Sequence, residues 1–376
     1  MNLNQKPRHF LALSSAIFLV LVTTVAVAEN KEPLVIDKEG NFFVGGYYNT
    51  RDEFVGQMYV EYQIPQRRTQ KYPIILVPGG GQIGSGWWTT PDGREGWAQH
   101  FLRRGYAVYV VDQAARGRSA YNSDLGPLGN AFNVLGAQQL WAAAERFNLW
   151  PAARLHTQWV GPAVKGDPTF DQFMKSQSDW LPLGSNALQT QLTRDGLIAL
   201  LDRIGPAILV PHSQPGWPAW EVADRRPDKV KALLQIEPGG PPVFALAPLF
   251  PAVEIPWGLT YDRLGYSPAV SDPSELKFVQ VAVNYPDVGT CWLQAEPARQ
   301  LPRLRMPILL LSSPSGYNTL WDPCTHEYLK QAGVEHTWLK LQDTGIHGNG
   351  HFMFIERNSD EVAGVVLDWI VNHVEE

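Results

Sequence analysis

The stretch that decides the fold is Ala207-Ile-Leu-Val-Pro-His-Ser-Gln-Pro-Gly216. Residues 207–211 are mostly apolar and have the length of a buried β-strand, and residues 217–224 after the turn predict a helix. A strand, a sharp turn and a helix in this order form the unit that exposes a serine hydroxyl at the edge of a parallel sheet. The pattern therefore indicates Ser213 as a candidate nucleophile.

The turn around Ser213 departs from the usual pattern, because Pro211 and Pro215 stand where small residues are common. Small residues let the strand and helix approach closely while the serine backbone is strained. Pro215 is compatible with the first turn of a helix, but it biases Gln214 away from helical backbone angles. On this stretch alone, an ordinary serine in a strand-to-helix turn remains the alternative.

Residues 1–28 have the pattern of a secretory signal peptide. Lys6 and Arg8 precede an apolar run from Phe10 to about Val22, and Ala26-Val-Ala28 is a small-x-small cleavage site. The run is shorter than a membrane span normally needs, which favours cleavage after Ala28 over an uncleaved anchor. We therefore expect a secreted or periplasmic protein with no stable membrane anchor after cleavage.

Composition limits the class of protein. Residues 29–376 suit one α/β domain with insertions, and 44% hydrophobic residues suit a globular protein. The net charge of −6 and the absence of a basic run argue against nucleic acid or an anionic membrane as a partner. Cys291 and Cys324 are the two cysteines, and in an oxidising compartment such a pair is expected to form a disulfide.

Apolar runs along the chain predict an α/β fold with a mostly parallel eight-stranded sheet flanked by helices. Strands are predicted at residues 41–44, 56–63, 72–77, 106–112, 207–211, 231–236, 307–312 and 337–341. Helices are predicted at residues 91–104, with Thr90 as N-cap, and at 185–204, 217–224, 324–331 and 360–373. Residues 120–185 and 241–303 are predicted to be cap-like insertions.

A glycine-rich loop, Pro78-Gly-Gly-Gly81, follows the third predicted strand. Glycine lets the backbone turn its N–H groups towards a substrate oxygen without a Cβ in the way. In a strand–turn–helix site, the residue after the nucleophile supplies the second N–H. Gly80 and Gln214 are therefore the expected oxyanion-hole donors. A glycine run is also consistent with a turn or a phosphate cradle, although the Gly-Lys-Ser/Thr ending of a phosphate loop is missing.

A nucleophilic serine needs a base, and two histidines compete for that role. His351 follows the eighth predicted strand and is favoured, because the closing helix begins soon after it. His347 is the alternative, and is otherwise expected to line the site or bond the backbone. A metal site of the two histidines, with Glu356 as a further ligand, is another alternative. No third ligand at convincing spacing supports it. His212 is expected to be a structural neighbour that faces away from the base.

The base needs a carboxylate that holds it in the right tautomer. Glu237 stands at the end of the sixth predicted strand, where ligand-facing groups collect in parallel sheets. Asp322, in the segment after the seventh strand, is the alternative acid. Either side chain would otherwise be a capping or salt-bridging carboxylate. Glu237 is favoured because it follows its strand immediately.

Eight short stretches spread over most of the mature chain have a recognisable pattern: Phe42-Phe-Val-Gly-Gly46, Gln57-Met-Tyr-Val60, Tyr62-Gln-Ile-Pro-Gln66, Thr90-Pro-Asp-Gly-Arg94, Arg116-Gly-Arg-Ser-Ala120, His212-Ser-Gln214, Glu237-Pro-Gly239 and His347-Gly-Asn-Gly-His351. In these stretches the chain resembles the α/β-hydrolase superfamily, and specifically a small branch of secreted bacterial serine esterases whose acid is a glutamate after strand six. The resemblance implies that Ser213 is the nucleophile, Glu237 the acid and His351 the base. The chain departs from the family at the two prolines, the glycine loop and residues 241–303.

The expected activity is hydrolysis of a small-molecule carboxylic ester through an acyl-enzyme, without a cofactor or a metal. Trp87, Trp88 and Trp217 are expected to line an apolar pocket, which favours a hydrophobic or aromatic ester. Lactone, thioester or amide hydrolysis remains an alternative, because the fold hosts all of these reactions. A catalytically silent binding protein, in which the prolines have spoiled the turn, is the other alternative. The sequence leaves the oligomeric state open.

Overall fold

Eight strands form the central sheet of the computed structural model. They are β1 Ile36–Val44, β2 Met58–Pro65, β3 Ile74–Val77, β4 Val108–Asp112, β5 Ala207–Pro211, β6 Val230–Ile236, β7 Ile308–Ser312 and β8 Thr337–Lys340. Their spatial order is β1-β2-β4-β3-β5-β6-β7-β8. Strand β2 is antiparallel to both of its neighbours, and all other pairs are parallel. The predicted eight-stranded, mostly parallel sheet is confirmed.

The structure describes Met1 and residues 32–182, 186–245, 249 and 253–374. The signal-peptide prediction for residues 1–28 therefore falls, apart from Met1, outside the described residues and stays a prediction. None of the helices in the described ranges has both the length and the apolar character that crossing a membrane requires.

Helices cover both faces of the sheet. They are α1 Ser85–Trp88, α2 Trp97–Arg103, α3 Val134–Ala137, α4 Ala144–Phe147, α5 Pro168–Lys175, α6 Asn186–Ile204, α7 Gly216–Arg225, α8 Asp322–Gln331 and α9 Ser359–His373. Side chains of a strand alternate between faces. Ile74 and Leu76 of β3 accordingly pack in the core that α2 and α9 share. Ile75 and Val77 pack with α6 and α7 on the opposite face. Burial on both faces explains why every residue of β3 is apolar.

The helix predicted at residues 91–104 begins later than expected, at Trp97. Thr90 is not its N-cap, because the Thr90 hydroxyl accepts a hydrogen bond from the Arg94 N–H at 3.0 Å and closes a turn. Arg94 also donates to the carbonyl oxygens of Glu356 and Arg357, at 2.9 and 3.0 Å. These contacts with the C-terminal part of the chain hold residues 91–96 outside the helix.

The second predicted insertion contains regular structure that the sequence analysis did not predict. Phe278–Tyr285 and Val288–Gln294 form an antiparallel hairpin. A short pair, Phe244–Ala245 with Val253–Glu254, precedes it, and another, Tyr47–Tyr48 with Phe54–Val55, follows β1. From Val281 to Tyr285 of the first hairpin strand, half-buried and exposed residues alternate, which is the period expected of a half-exposed strand.

A disulfide between Cys291 and Cys324 ties this hairpin to helix α8. Both cysteines are nearly fully buried. The hairpin is thereby held against helix α8.

Removing this disulfide is expected to destabilise the fold. A Cys291→Ala/Cys324→Ala double variant should lose about 2–4 kcal/mol in free energy of unfolding, because the open unfolded chain regains conformational entropy. The measurement is urea unfolding followed by tryptophan fluorescence, with reduced wild type as the matched control. A double variant as stable as the oxidised wild type would contradict a stabilising disulfide.

Candidate active site

Ser213 lies in the turn between β5 and α7, and its backbone has a φ of 65°. The Ser213 N–H donates to the Ile236 carbonyl at 3.0 Å, and the Ser213 carbonyl accepts from Gly216 and Gly239 at 2.9 and 2.7 Å. A positive φ is uncommon for a residue other than glycine and persists where the surrounding structure holds it. The turn is therefore as sharp as the sequence analysis expected.

The two prolines are compatible with this turn. Pro211 is the last residue of β5 and is paired in register with Val77 of β3. Pro215 has a φ of −68° and caps the start of α7, where its missing N–H costs no helical hydrogen bond. The Pro215 carbonyl accepts from the Ala219 N–H at 3.0 Å, so the first turn of the helix is formed.

Glu237 and His351 are in direct contact. Glu237 follows β6, and its Oε2 lies 3.0 Å from Nδ1 of His351. The other oxygen, Oε1, accepts from the Ser313 N–H at 2.6 Å and from the Ser313 hydroxyl at 2.7 Å. When Glu237 is a carboxylate, its oxygens only accept, and Nδ1 of His351 then carries the proton. Nε2 is then left as the unprotonated nitrogen that a base needs.

Burial controls the protonation of this pair. Both side chains are almost completely shielded from solvent. Burial lowers the pKa of His351 to about 3, so its imidazole is neutral near neutral pH. Burial also raises the pKa of Glu237, while the two hydrogen bonds from Ser313 oppose that rise by favouring the carboxylate. A neutral imidazole is the form that can accept a proton.

Asp322, the alternative acid, is buried without touching the histidine. Its Oδ2 accepts from the Ser312 hydroxyl at 2.5 Å, and its Oδ1 accepts from the Asn318 side-chain amide at 3.1 Å. Burial raises the pKa of Asp322 well above its usual value. The structure thus brings Glu237, and not Asp322, to His351.

The prediction that His212 faces away from the base is wrong, because His212 faces His351. The two imidazole rings are 4.5 Å apart, and Nε2 of His212 donates to the backbone carbonyl of His351 at 2.8 Å. Both residues stand at the carboxyl edge of the sheet, where β5 ends beside the loop after β8. His212 therefore supports the segment that carries His351.

Gly80 and Gln214, the two predicted oxyanion donors, line one cavity together with Ser213. Neither backbone N–H donates to an acceptor among the described residues. A Cβ at Gly79, just before Gly80, would lie only 3.1 Å from Cβ of Ser213, which is tighter than most Cβ contacts. The glycine loop thus passes directly against the serine turn.

The cavity beside Ser213 has a volume of about 80 Å³ and is walled by aromatic rings. The aromatic lining residues are Phe132, Trp141, Trp180, Trp217, Tyr317 and Trp321. Trp217 was predicted there. Trp141 and Trp180 come from the first insertion, whose richness in tryptophan was the available signal. Tyr317 was missed, although its hydroxyl lies beside Ser213.

The other predicted pocket residues lie elsewhere. Trp87 and Trp88 line a separate cavity of about 590 Å³. Trp87 is completely buried and stacks on Phe354 at 4.1 Å, because the short helix α1 turns it into the core. The Trp88 indole N–H donates to Glu61 at 2.9 Å. His347 is exposed, and its backbone carbonyl accepts from the Gln158 side-chain amide at 2.9 Å.

A buried ion pair anchors the segment before His351. Nε2 of His156 lies 2.7 Å from Oε1 of Glu356, whose oxygens also accept from the Gly350 N–H and, at 2.9 Å, from the Asn349 amide. Although burial disfavours its charge, hydrogen bonds to Glu145 and Glu356 raise the pKa of His156 to about 9. The Glu356 carboxylate is thus bonded to His156 and to the backbone and side chain just before His351. In the described ranges, no group of three or more His, Cys, Asp or Glu side chains is placed to hold a metal ion.

Comparisons with known proteins give two informative relatives. A probable secreted lipase, phiG, from Fungal sp. (strain ATCC 74256) is 41% identical over 331 residues, which are 88% of each chain. The solved structure of a novel bacterial esterase is 26% identical, with a TM-score of 0.59, over 92% of this chain and 98% of that chain. No model of a protein family matches the sequence.

The His156–Glu356 pair predicts a pH-dependent stability. The folded-state pKa of about 9 lies above the unfolded value, so the stabilisation is complete below about pH 6.5 and is lost as the pH rises through 9. Over that window the free energy of unfolding of wild type should fall, relative to His156→Gln, by on the order of 3 kcal/mol.

Urea unfolding at half-unit steps from pH 6 to pH 9.5 measures this difference. His347→Gln is the matched control, because His347 is exposed, and it should follow the wild-type curve. Parallel curves for wild type and His156→Gln would show that His156 carries no extra charge in the folded state.

Proposed function

Because the chain belongs to the α/β-hydrolase-fold family of lipases and esterases that includes the fungal relative, we propose that it is a secreted serine hydrolase of carboxylic esters. The observation that carries the proposal is the buried contact of Glu237 with Nδ1 of His351, at 3.0 Å, beside the strained turn of Ser213. The relative's name supports both the ester substrate and secretion, and the signal-peptide pattern of residues 1–28 agrees with secretion.

In the proposed reaction, the Ser213 hydroxyl attacks the ester carbonyl while Nε2 of His351 takes its proton. The Glu237 carboxylate stabilises the imidazolium that forms. His351 then gives the proton to the leaving alcohol, and the C–O bond of the ester breaks to leave an acyl-enzyme on Ser213. Water attacks this acyl group with His351 again as the base, which releases the acid and restores the serine.

The N–H groups of Gly80 and Gln214 are the proposed donors to the oxyanion. Support comes from their position in the cavity with Ser213 and from the lack of another acceptor among the described residues. Fixed donors of this kind stabilise the tetrahedral intermediate by about 3 kcal/mol each. No cofactor or metal takes part in the proposed steps.

The aromatic walls of the cavity favour a hydrophobic or aromatic ester. Flat rings such as Trp180 and Trp217 offer apolar contact and can stack on an aromatic group of the substrate. The Tyr317 hydroxyl beside Ser213 is a polar group in this otherwise apolar lining. It is near enough to the serine to contact the bound ester.

The nucleophile is tested with a fluorophosphonate and a short-chain aryl ester. We expect the adduct on Ser213, and a Ser213→Ala variant should lose kcat by roughly four orders of magnitude or more. Ser274→Ala, at an exposed serine far along the chain, is the matched control and should behave as wild type. A folded wild type that neither reacts with the probe nor hydrolyses the ester would favour the silent binding protein instead.

The acid is tested by comparing Glu237→Gln with Asp322→Asn. Glu237→Gln should lower kcat by roughly 10⁴-fold, since an amide no longer holds the correct tautomer of His351. Asp322→Asn should change kcat by less than about tenfold, the worth of one neutral hydrogen bond. The reverse result would transfer the acid role to Asp322.

Gly316→Ala provides an independent check of the acid, because a Cβ at Gly316 would overlap Oε2 of Glu237. This variant should lower kcat without removing any functional group. Gly364→Ala is the matched control, since a Cβ there has nothing within 4 Å. Full activity of Gly316→Ala would argue against a role for Glu237.

A further inference from the structure

Arg116 is a fully buried cation that contacts both segments of the proposed oxyanion hole. Its Nη1 donates to the Gly79 carbonyl at 2.8 Å, and its Nη2 donates to the side-chain oxygen of Gln214 at 2.5 Å. Gly79 precedes one proposed donor, Gly80, and Gln214 is the other. One planar guanidinium therefore bridges the glycine loop and the serine turn.

The contact with Gly79 helps to fix the direction of the Gly80 N–H, together with the Gln82 N–H, which donates to the same Gly79 oxygen at 3.2 Å. The Gly79–Gly80 peptide is trans, since the cis bonds of the described chain lie elsewhere. In a trans peptide the C=O and the next N–H point in opposite directions. A guanidinium on the Gly79 oxygen thus turns the Gly80 N–H away from Arg116, and its positive charge polarises that N–H. The side-chain amide of Gln113 donates to the preceding carbonyl, that of Pro78, at 2.7 Å.

The charge of Arg116 has no hydrogen-bonded carboxylate among the described residues. Nε of Arg116 has no partner there, and the face of Trp180 lies 5.5 Å from the guanidinium carbon. Asp112, the nearby acid, is instead bonded to Arg118 at 2.8 Å and to the Gly84 N–H at 2.6 Å. Burying a cation without a bonded anion is costly. Burial accordingly lowers the pKa of Arg116 to about 9.

In the resting protein the two hydrogen bonds of Arg116 leave its charge without a bonded anion, whereas an oxyanion that forms during the reaction would supply a negative charge on the other side of these segments. We propose that Arg116 is a positioning residue for the oxyanion hole, which orients the Gly80 and Gln214 segments and strengthens their N–H donors when the oxyanion forms. This inference rests on the proposed function. Because the oxyanion exists in the tetrahedral intermediate and not in the bound ester, the effect belongs to kcat rather than to KM.

The test compares Arg116→Met and Arg116→Lys with wild type on a short-chain aryl ester. Arg116→Met should lower kcat by about ten- to a hundred-fold, less than loss of a direct donor, with KM changed by less than about threefold. The affinity for an aryl trifluoromethyl ketone, which forms an oxyanion on the serine, should fall by the same factor as kcat. Arg116→Lys should recover part of both losses, because it restores the charge.

Arg118→Met is the matched control. Arg118 lies in the same loop but is half-exposed and paired with Glu61 and Asp112. This variant should keep kcat and ketone affinity close to those of wild type. Equal losses in the two arginine variants would mean that the loop fold, and not the Arg116 contacts, is responsible, which would overturn the inference.

The outcomes separate this inference from the proposed function. If wild type does not react with the fluorophosphonate, the proposed function fails and the inference fails with it. If wild type reacts and a folded Arg116→Met keeps kcat and ketone affinity, only the inference is overturned. If Arg116→Met does not fold, the Gln214→Met variant is used instead. It removes one hydrogen-bond partner of Arg116 and keeps the backbone N–H at position 214. That variant should lower kcat at unchanged KM, and unchanged kcat would overturn the inference.

Discussion

The hydrogen bond between Glu237 and His351 is the interaction on which the site depends. It joins the end of β6 to a loop more than a hundred residues later in the chain. Neighbouring contacts hold both partners, since Ser313 bonds the carboxylate and His212 bonds the histidine backbone. Because both side chains are buried, neither can exchange its partner for water, and a lost contact would leave a polar group unsatisfied.

The parallel sheet brings these groups together. In such sheets the carboxyl ends of neighbouring strands meet at one edge, where ligands bind. β3, β5 and β6 are adjacent and deliver Gly80, Ser213 and Glu237 in turn to that edge. Ser213 and Glu237 both have positive φ, which shows that the chain bends sharply as it leaves each strand. Backbone strain at these two points aims the side chains away from the strand direction.

The insertions and the buried arginine complete the environment of the serine. Trp141 and Trp180 wall the cavity, and Arg116 bonds the loop and turn behind it. The larger cavity, of about 590 Å³, contains none of the three proposed catalytic residues. Volume alone would therefore favour a different cavity from the one beside Ser213, which the convergence of polar groups favours.

The sequence by itself determined the sheet, the serine turn and the chain order of Ser213, Glu237 and His351, because local patterns of apolar and turn residues encode strands, turns and helices. Only the tertiary structure brought Glu237, and not Asp322, to His351, turned His212 towards His351 and placed Trp87 in the core. The tertiary structure also determines that α2 begins at Trp97, because Arg94 contacts the C-terminal segment. Each of these outcomes depends on residues that are distant in sequence, and no local pattern records which of them will meet.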